Sequence, residues 1–325
     1  MKIVVLDGHT LNPGDNPWDP LEELGEVEVH ERTPSDQVIP RAQHAEILVI
    51  NKVRVDAGLL DRLPRLCLIT ITATGYDCVD TDAANRRGIV VCNVPYYATD
   101  AVAQFVFAVL FTMLRQPVLH HRAVHEGEWE RRGDFSFHLT PQVELTGLTM
   151  GIVGHGRIGA RVGELANAHG MSVIAYKPKP DDAPAYSPFA WRGLDQLVAE
   201  SDVVSLHCPL NEQTRNLVDA AMLQRFKAGA WLVNTARGGL VVEQDLAAAL
   251  ESGHLAGAAM DVASTEPIDA DNPLLAAPRC LVTPHMAWAT LTARSRLMRE
   301  TAANIAAFLR GEPRNTVGRN DSGGH

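Results

Sequence analysis

Short Val/Ile/Leu-rich runs alternate with helical patterns along most of this chain, and that alternation is what parallel sheets with crossover helices require. The runs KIVVLD (2–7), VEVHE (27–31), EILVI (46–50), LCLITI (66–71) and IVVCN (89–93) read as the strands of one unit. A second series begins at TGLTMGIVGHG (146–156) and continues through SVIAY (172–176), DVVSLH (202–207), AWLVN (230–234), AGAAMDV (256–262) and CLVTP (280–284). The fold class expected is α/β, with two Rossmann-like domains built on doubly wound parallel sheets. Between the two series, Thr99 to about Glu126 reads as one long helix. TARSRLMRETAANIAAFLRGEP (292–313) reads as a closing amphipathic helix stopped by Gly311 and Pro313, and the polar tail at 319–325 as disordered.

With 325 residues, 46% hydrophobic and 21% charged, the chain has the composition of an ordinary globular protein large enough for two cores. A net charge of −10 argues against nucleic acid or an anionic membrane as partner. The longest apolar run, AVAQFVFAVLFTML (101–114), is interrupted by Gln104 and falls short of the ~20 residues of a membrane span. The start, MKIVVLDGH, is too short an apolar run for a signal peptide, which places the protein in the cytoplasm. Cys67, Cys78, Cys92, Cys208 and Cys280 are scattered without CxxC spacing and read as reduced core residues, so no metal site is expected.

Gly154, Gly156 and Gly159 fit G-x-G-x-x-G between a strand and a helix start. In a dinucleotide site the first glycine makes the tight turn, the second lets backbone approach the pyrophosphate and the third packs helix on strand. Roughly 20 positions further on, an acid ordinarily holds the adenosine ribose 2′-OH; here Lys177 stands there, with Lys179 close by. A cation disfavours a bare ribose less than it favours a 2′-phosphate, and a charge pair at ~4 Å is worth at most about 4 kcal/mol at an effective dielectric near 20. The lysines therefore point to NADP(H), with NAD(H) otherwise; the plainer reading is a solvated loop neutralised by Asp181 and Asp182.

Arg237 in VNTARGG, Glu266 in MDVASTEP and His285 in VTPHMAW lie at or after the carboxyl ends of predicted strands, where open parallel sheets bind ligands. Their types suit reduction of a 2-oxo acid. A guanidinium fork takes a carboxylate, a histidine protonates the carbonyl oxygen, and a carboxylate on its other nitrogen orients it and favours its charged form. Taken singly, each also has an ordinary structural reading, and spacing alone leaves the triad open.

Several dispersed stretches, in order, resemble the D-isomer-specific 2-hydroxyacid dehydrogenase family: ATGYDCVD, NVPYYATDAVAQFVFAVL, LTGLTMGIVGHGRIG, LHCPLNEQTRNLV, LVNTARGGLVVEQDLAAAL, GAAMDVASTEP and LVTPHMAW. Within the family the chain looks closest to the glycerate dehydrogenase, or hydroxypyruvate reductase, branch. The resemblance implies a small 2-oxo or 2-hydroxy acid as substrate, Arg237 binding its carboxylate and carbonyl, and His285 as proton donor with Glu266 its partner. It implies Arg157 and Ile158 at the pyrophosphate, and His207, Cys208, Pro209 and Thr214 along the cofactor. Thr235, Ala236, Asp261 and Ala287 would line the nicotinamide end. Ala73, Thr74 and Gly75 would offer N–H groups to the substrate carboxylate, with Asn51 and Trp288 lining the same cleft. It further implies a discontinuous substrate domain (1–97 and 286–318) around a nucleotide domain (98–285), and a homodimer formed through the nucleotide domain that buries the long helix from Thr99 and RGDFSFHLTP (132–141), a stretch that by composition reads as an exposed aromatic loop. A formate dehydrogenase of this architecture has Gln where Glu266 stands, so the acid argues against it. A non-catalytic, NAD(H)-sensing corepressor-like scaffold retains all three residues and is separated only by turnover.

Overall fold

In the computed structural model, which describes residues 1–180 and 182–318, Lys2–Val5 (β1), Glu26–Val29 (β2), Ile47–Ile50 (β3), Leu68–Ile71 (β4) and Val90–Cys92 (β5) form one sheet in the order β2-β1-β3-β4-β5. Every pairing in it is parallel, with Ile47–Ile50 matched residue for residue to Leu68–Ile71. Both β3 and β4 are buried on both faces, which is why each reads as an unbroken apolar run.

The second sheet contains Thr149–Val153 (β6), Ser172–Tyr176 (β7), Phe189–Trp191 (β8), Val203–Leu206 (β9), Trp231–Asn234 (β10), Gly257–Met260 (β11) and Cys280–Val282 (β12). It is parallel throughout, in the order β12-β11-β10-β9-β6-β7-β8. Alternate residues serve two cores. Met150, Ile152, Val173 and Val203 pack on one face with the helix Thr99–Arg115, while Val153, Ile174, Val204 and Leu206 pack on the other. The strand order reverses between β6 and β9, the switch point where doubly wound sheets open a crevice.

Met1–Ala98 with residues 288–318 form one compact unit, and Thr99–Ala287 the other. The N–H groups of Met286 and Ala287 donate to Asp261, which keeps the stretch after His285 with the second unit. The single helix expected from 99 to 126 is broken: Gln116 has φ 42° and a separate helix, Pro117–His125, starts on the proline, bent by 49°. Proline denies its predecessor the α region and fits the first position of a new helix. β8, a three-residue edge strand, is too short for its sequence to mark it as a strand. The closing helix runs Leu291–Leu309, capped by Thr290 and followed by Gly311 at φ +79°. Cys67, expected in the core, is exposed, since it precedes β4 instead of lying within it. The tail 319–325 and Asp181 lie outside the described residues. Among those described, no single helix is long and apolar enough to cross a membrane.

Candidate active site

At the turn after β6, Gly154 adopts φ +96°, and a Cβ there would sit 2.5 Å from the Cys208 nitrogen, so conformation and space both demand glycine. Gly159 is required by the helix lying on the turn, since its Cβ would meet the Gly154 carbonyl oxygen at 2.3 Å. Gly156 differs, because a Cβ there would touch no atom of the described residues within 4 Å. It is the N-cap of the twelve-residue helix Arg157–Ala168, has no side-chain cap and has no acid in its first turn. Free helix N–H groups, the positive end of the dipole and an empty approach fit a dinucleotide pyrophosphate. Arg157 is exposed beside this turn, and Ile158 packs partly into the core below.

Around the rest of the same sheet edge, Lys177 follows β7 and Lys179 is exposed two residues on. His207 follows β9, with Nε2 2.8 Å from the Ser205 hydroxyl. Burial, with a smaller effect of His155, pushes its pKa down to about 3, so the ring is neutral. Burial alone pushes the neighbouring Cys208 thiol up to about 11. Thr214 anchors the loop after Pro209, its hydroxyl donating to the Pro209 carbonyl at 2.6 Å. After β10, the hydroxyl of Thr235 is buried without a partner among the described residues and Ala236 packs against the core.

The loop bearing Arg237 is held by Asn234, which is wholly buried at the end of β10. Its Nδ2 donates to the Arg237 carbonyl (2.9 Å) and its Oδ1 accepts the Ala236 N–H (3.0 Å). A Cβ on Gly238 would lie 2.0 Å from the Ala263 carbonyl carbon, so this glycine lets the arginine loop press against the loop that leads to Glu266. From there Glu266 Oε2 meets His285 Nδ1 at 2.8 Å. His285 has φ 52°, an uncommon conformation for a side-chain-bearing residue. Asp261, 2% exposed, stabilises it: its oxygens accept from the Thr283 hydroxyl (2.7 Å) and from the Met286 (2.9 Å) and Ala287 (2.8 Å) N–H groups. Of about four acceptor positions on a carboxylate, three are thus taken, leaving one for a ligand amide. Asn234 and Thr283 were not foreseen; the one signal was a polar residue ending an apolar strand.

In the first unit, Ala73, Thr74 and Gly75 follow β4, and no protein acceptor among the described residues meets their N–H groups. Asn51 follows β3 and is buried, its amide donating to the Thr72 carbonyl (2.7 Å) and hydroxyl (3.2 Å). Asp7, also unforeseen, holds the same loop by accepting N–H bonds from Asn51, Lys52 and Val53 at 2.6 to 3.0 Å. Trp288 packs edge-on to Tyr97, ring centroids 5.9 Å apart.

A parallel sheet that offers a bare helix N-terminus to a dinucleotide and carries an acid-paired histidine along the same edge defines a nicotinamide-dependent oxidoreductase. Residues 107–287 match the family model described as D-isomer specific 2-hydroxyacid dehydrogenase, NAD binding domain. The chain is 43% identical to a hydroxypyruvate reductase of Blautia hydrogenotrophica over 98% of its own length and all of that protein's. It is 37% identical to a glycerate dehydrogenase of Methylorubrum extorquens over 97% of this chain and 98% of that one. A crystal structure of an NADPH-dependent glyoxylate/hydroxypyruvate reductase of Sinorhizobium meliloti, in complex with NADP and malonate, superposes with TM-score 0.82 at 29% identity, covering 97% of this chain and 96% of that one. The chain belongs to the D-isomer-specific 2-hydroxyacid dehydrogenase family and is an NAD(P)-dependent enzyme.

Proposed function

We propose that this dehydrogenase reduces hydroxypyruvate or glyoxylate to the D-2-hydroxy acid and prefers NADP(H) to NAD(H). The observation that carries the reading is the 2.8 Å contact between His285 Nδ1 and Glu266. It engages one ring nitrogen, fixes the ring plane and leaves Nε2 to exchange the proton of the substrate oxygen. Arg237 takes the carboxylate and carbonyl of the substrate through its planar fork, and the N–H groups of Ala73, Thr74 and Gly75 take the carboxylate. The reduced nicotinamide, when bound, supplies the hydride to the keto carbon. Oxidation of the hydroxy acid reverses the proton's path, with His285 Nε2 as acceptor. The N–H groups following Gly156 hold the pyrophosphate, Lys177 and Lys179 favour a 2′-phosphate, and Thr235, Ala236 and Ala287 line the nicotinamide. The enzyme acts as a homodimer formed through the nucleotide domain, with residues 132–141 and the helical stretch before them in the interface. Names of relatives support the substrate class, since hydroxypyruvate, glycerate and glyoxylate all appear among them.

The test is a kinetic matrix of small 2-oxo acids against NADPH and NADH, with Lys177→Asp alongside. The expected result is turnover of hydroxypyruvate and glyoxylate, with kcat/KM about tenfold in favour of NADPH, the worth of ~1.4 kcal/mol at the ribose. The variant should lose that preference. An unchanged ratio refutes the role of Lys177, and absence of turnover with every acid refutes the enzyme reading.

A further inference from the structure

The N–H of each residue lies anti to the carbonyl of the residue before it, because a trans peptide is planar. A donor that grips one carbonyl therefore aims the following N–H the opposite way. Three consecutive peptides in the first unit are gripped like this. Asn51 Nδ2 donates to the Thr72 carbonyl at 2.7 Å and so aims the Ala73 N–H. The Val94 N–H donates to the Ala73 carbonyl at 3.0 Å and aims the Thr74 N–H. Asn93 Nδ2 donates to the Thr74 carbonyl at 2.7 Å and aims the Gly75 N–H.

Asn93 is itself held from both sides by the returning end of the chain. Its N–H donates to the Asn315 carbonyl at 3.1 Å, and its carbonyl accepts Nδ2 of Asn304 at 2.9 Å. Asn304, wholly buried on the closing helix, accepts Nδ2 of Asn315 at 2.9 Å. Burying three amides is costly unless all are satisfied, and here their bonds converge on one loop.

We propose that Asn51 and Asn93 are positioning residues that pre-set the 73–75 N–H groups for the substrate carboxylate, with Asn304 and Asn315 fixing Asn93. The proposal rests on the reading that this loop binds the carboxylate. Asn93→Ala frees the Thr74 carbonyl and lets the Gly75 N–H swing. A contact made equally to bound substrate and to transition state is then weakened, so KM rises while kcat stands.

Steady-state kinetics on the full chain with hydroxypyruvate should show KM raised about tenfold in Asn93→Ala, with kcat within twofold of wild type. NADPH affinity, read by fluorescence titration without substrate, should be unchanged, a pattern that general destabilisation does not give. If Asn93→Ala does not fold, Asn315→Gly serves in its place: it removes the outer amide and keeps a residue suited to the φ of 51° found there. Its KM should rise two- to threefold, again with kcat and NADPH affinity preserved. A folded variant with wild-type KM, or with kcat and cofactor affinity falling together, overturns the assignment of Asn93. A wild-type enzyme that turns over no 2-oxo acid overturns the underlying reading and this inference with it.

Discussion

A histidine that donates a proton must present one nitrogen to the substrate and keep the other occupied, and the role proposed for His285 rests on neighbours along the same edge of the sheet that meet the second requirement. Glu266 takes Nδ1, and Asp261 fixes the backbone turn that sets the ring's origin. His285→Ala should lower kcat by about 10²- to 10⁴-fold, the usual contribution of a positioned acid. Titration with NADPH should still give an affinity within twofold of wild type; retained turnover would remove His285 from the mechanism. Gly156 gives a second test of opposite character. Because a Cβ there meets no atom of the described residues, Gly156→Ala should leave the thermal midpoint almost unchanged, yet weaken cofactor binding about tenfold or more by blocking approach to the helix end. Equal affinity in the variant would mean that no ligand comes close to this glycine. Glycines and charged residues of this kind are legible in a sequence because their chemistry is local to the motif. Asp261 as a brace and Asp7 act on loops 25 and 44 residues along the chain, and a linear pattern carries no mark of such partners, whereas Asn234 acts only three residues on and is marked by being polar at the end of an apolar strand.

Elements were legible where a single period governed them. The four-residue runs ILVI and LITI admit little but a buried strand, whereas FAW at β8 is too short for any alternation to register. The break at Gln116 was written in the sequence as Pro117, but the apolar pattern runs on through it and masks the boundary. Elements are also joined by charge. Arg294, 8% exposed on the closing helix, makes two contacts of 2.5 and 2.7 Å to Asp15 in the loop after β1. The hydrogen bonds from Arg294, foremost, and its charge hold the Asp15 carboxyl below its usual range. The sign follows from linkage: a group whose pKa is depressed on folding contributes stability above its unfolded pKa of about 3.9, and loses it as pH falls through the lowered native value. Asp15→Asn should lower the thermal midpoint at pH 7 by about 2–4 °C, because a buried guanidinium is left without its anion. The gap should begin to close below about pH 3.9. A gap that persists undiminished at acid pH would show that the loss comes from packing rather than charge.

At the scale of the molecule, the apolar residues of the second unit divide into two groups. The helix Thr99–Arg115 packs Val106, Phe107, Leu110 and Leu114 into the core of its own unit and leaves Phe111 exposed, although with the following helix it has the length and composition of a bent membrane span. The segment after it behaves otherwise. Val118, Leu119, Trp129 and Leu139 are all exposed there, and Phe135 is 93% exposed, an apolar patch that a single chain leaves in water. Arg132 lies over the Phe137 ring at 5.0 Å, and Trp129 donates its indole N–H to the Asp134 carbonyl, so the arm is locally ordered although little of it is covered. Covering such a surface with its own copy is the common solution, since an isologous contact buries every exposed residue twice over. Light scattering at micromolar concentration should therefore give twice the 35.3 kDa mass of one chain. Phe135→Asp and Leu119→Glu should each weaken association by about a thousandfold, because each removes an anchor worth ~2 kcal/mol from both protomers. Both substitutions lie away from Arg237, Glu266 and His285 in sequence, so a variant driven to monomer reports on the interface first and on chemistry only through it. A wild-type chain that is monomeric at these concentrations, or variants that dimerise as tightly as wild type, would show that something other than a second copy meets the arm.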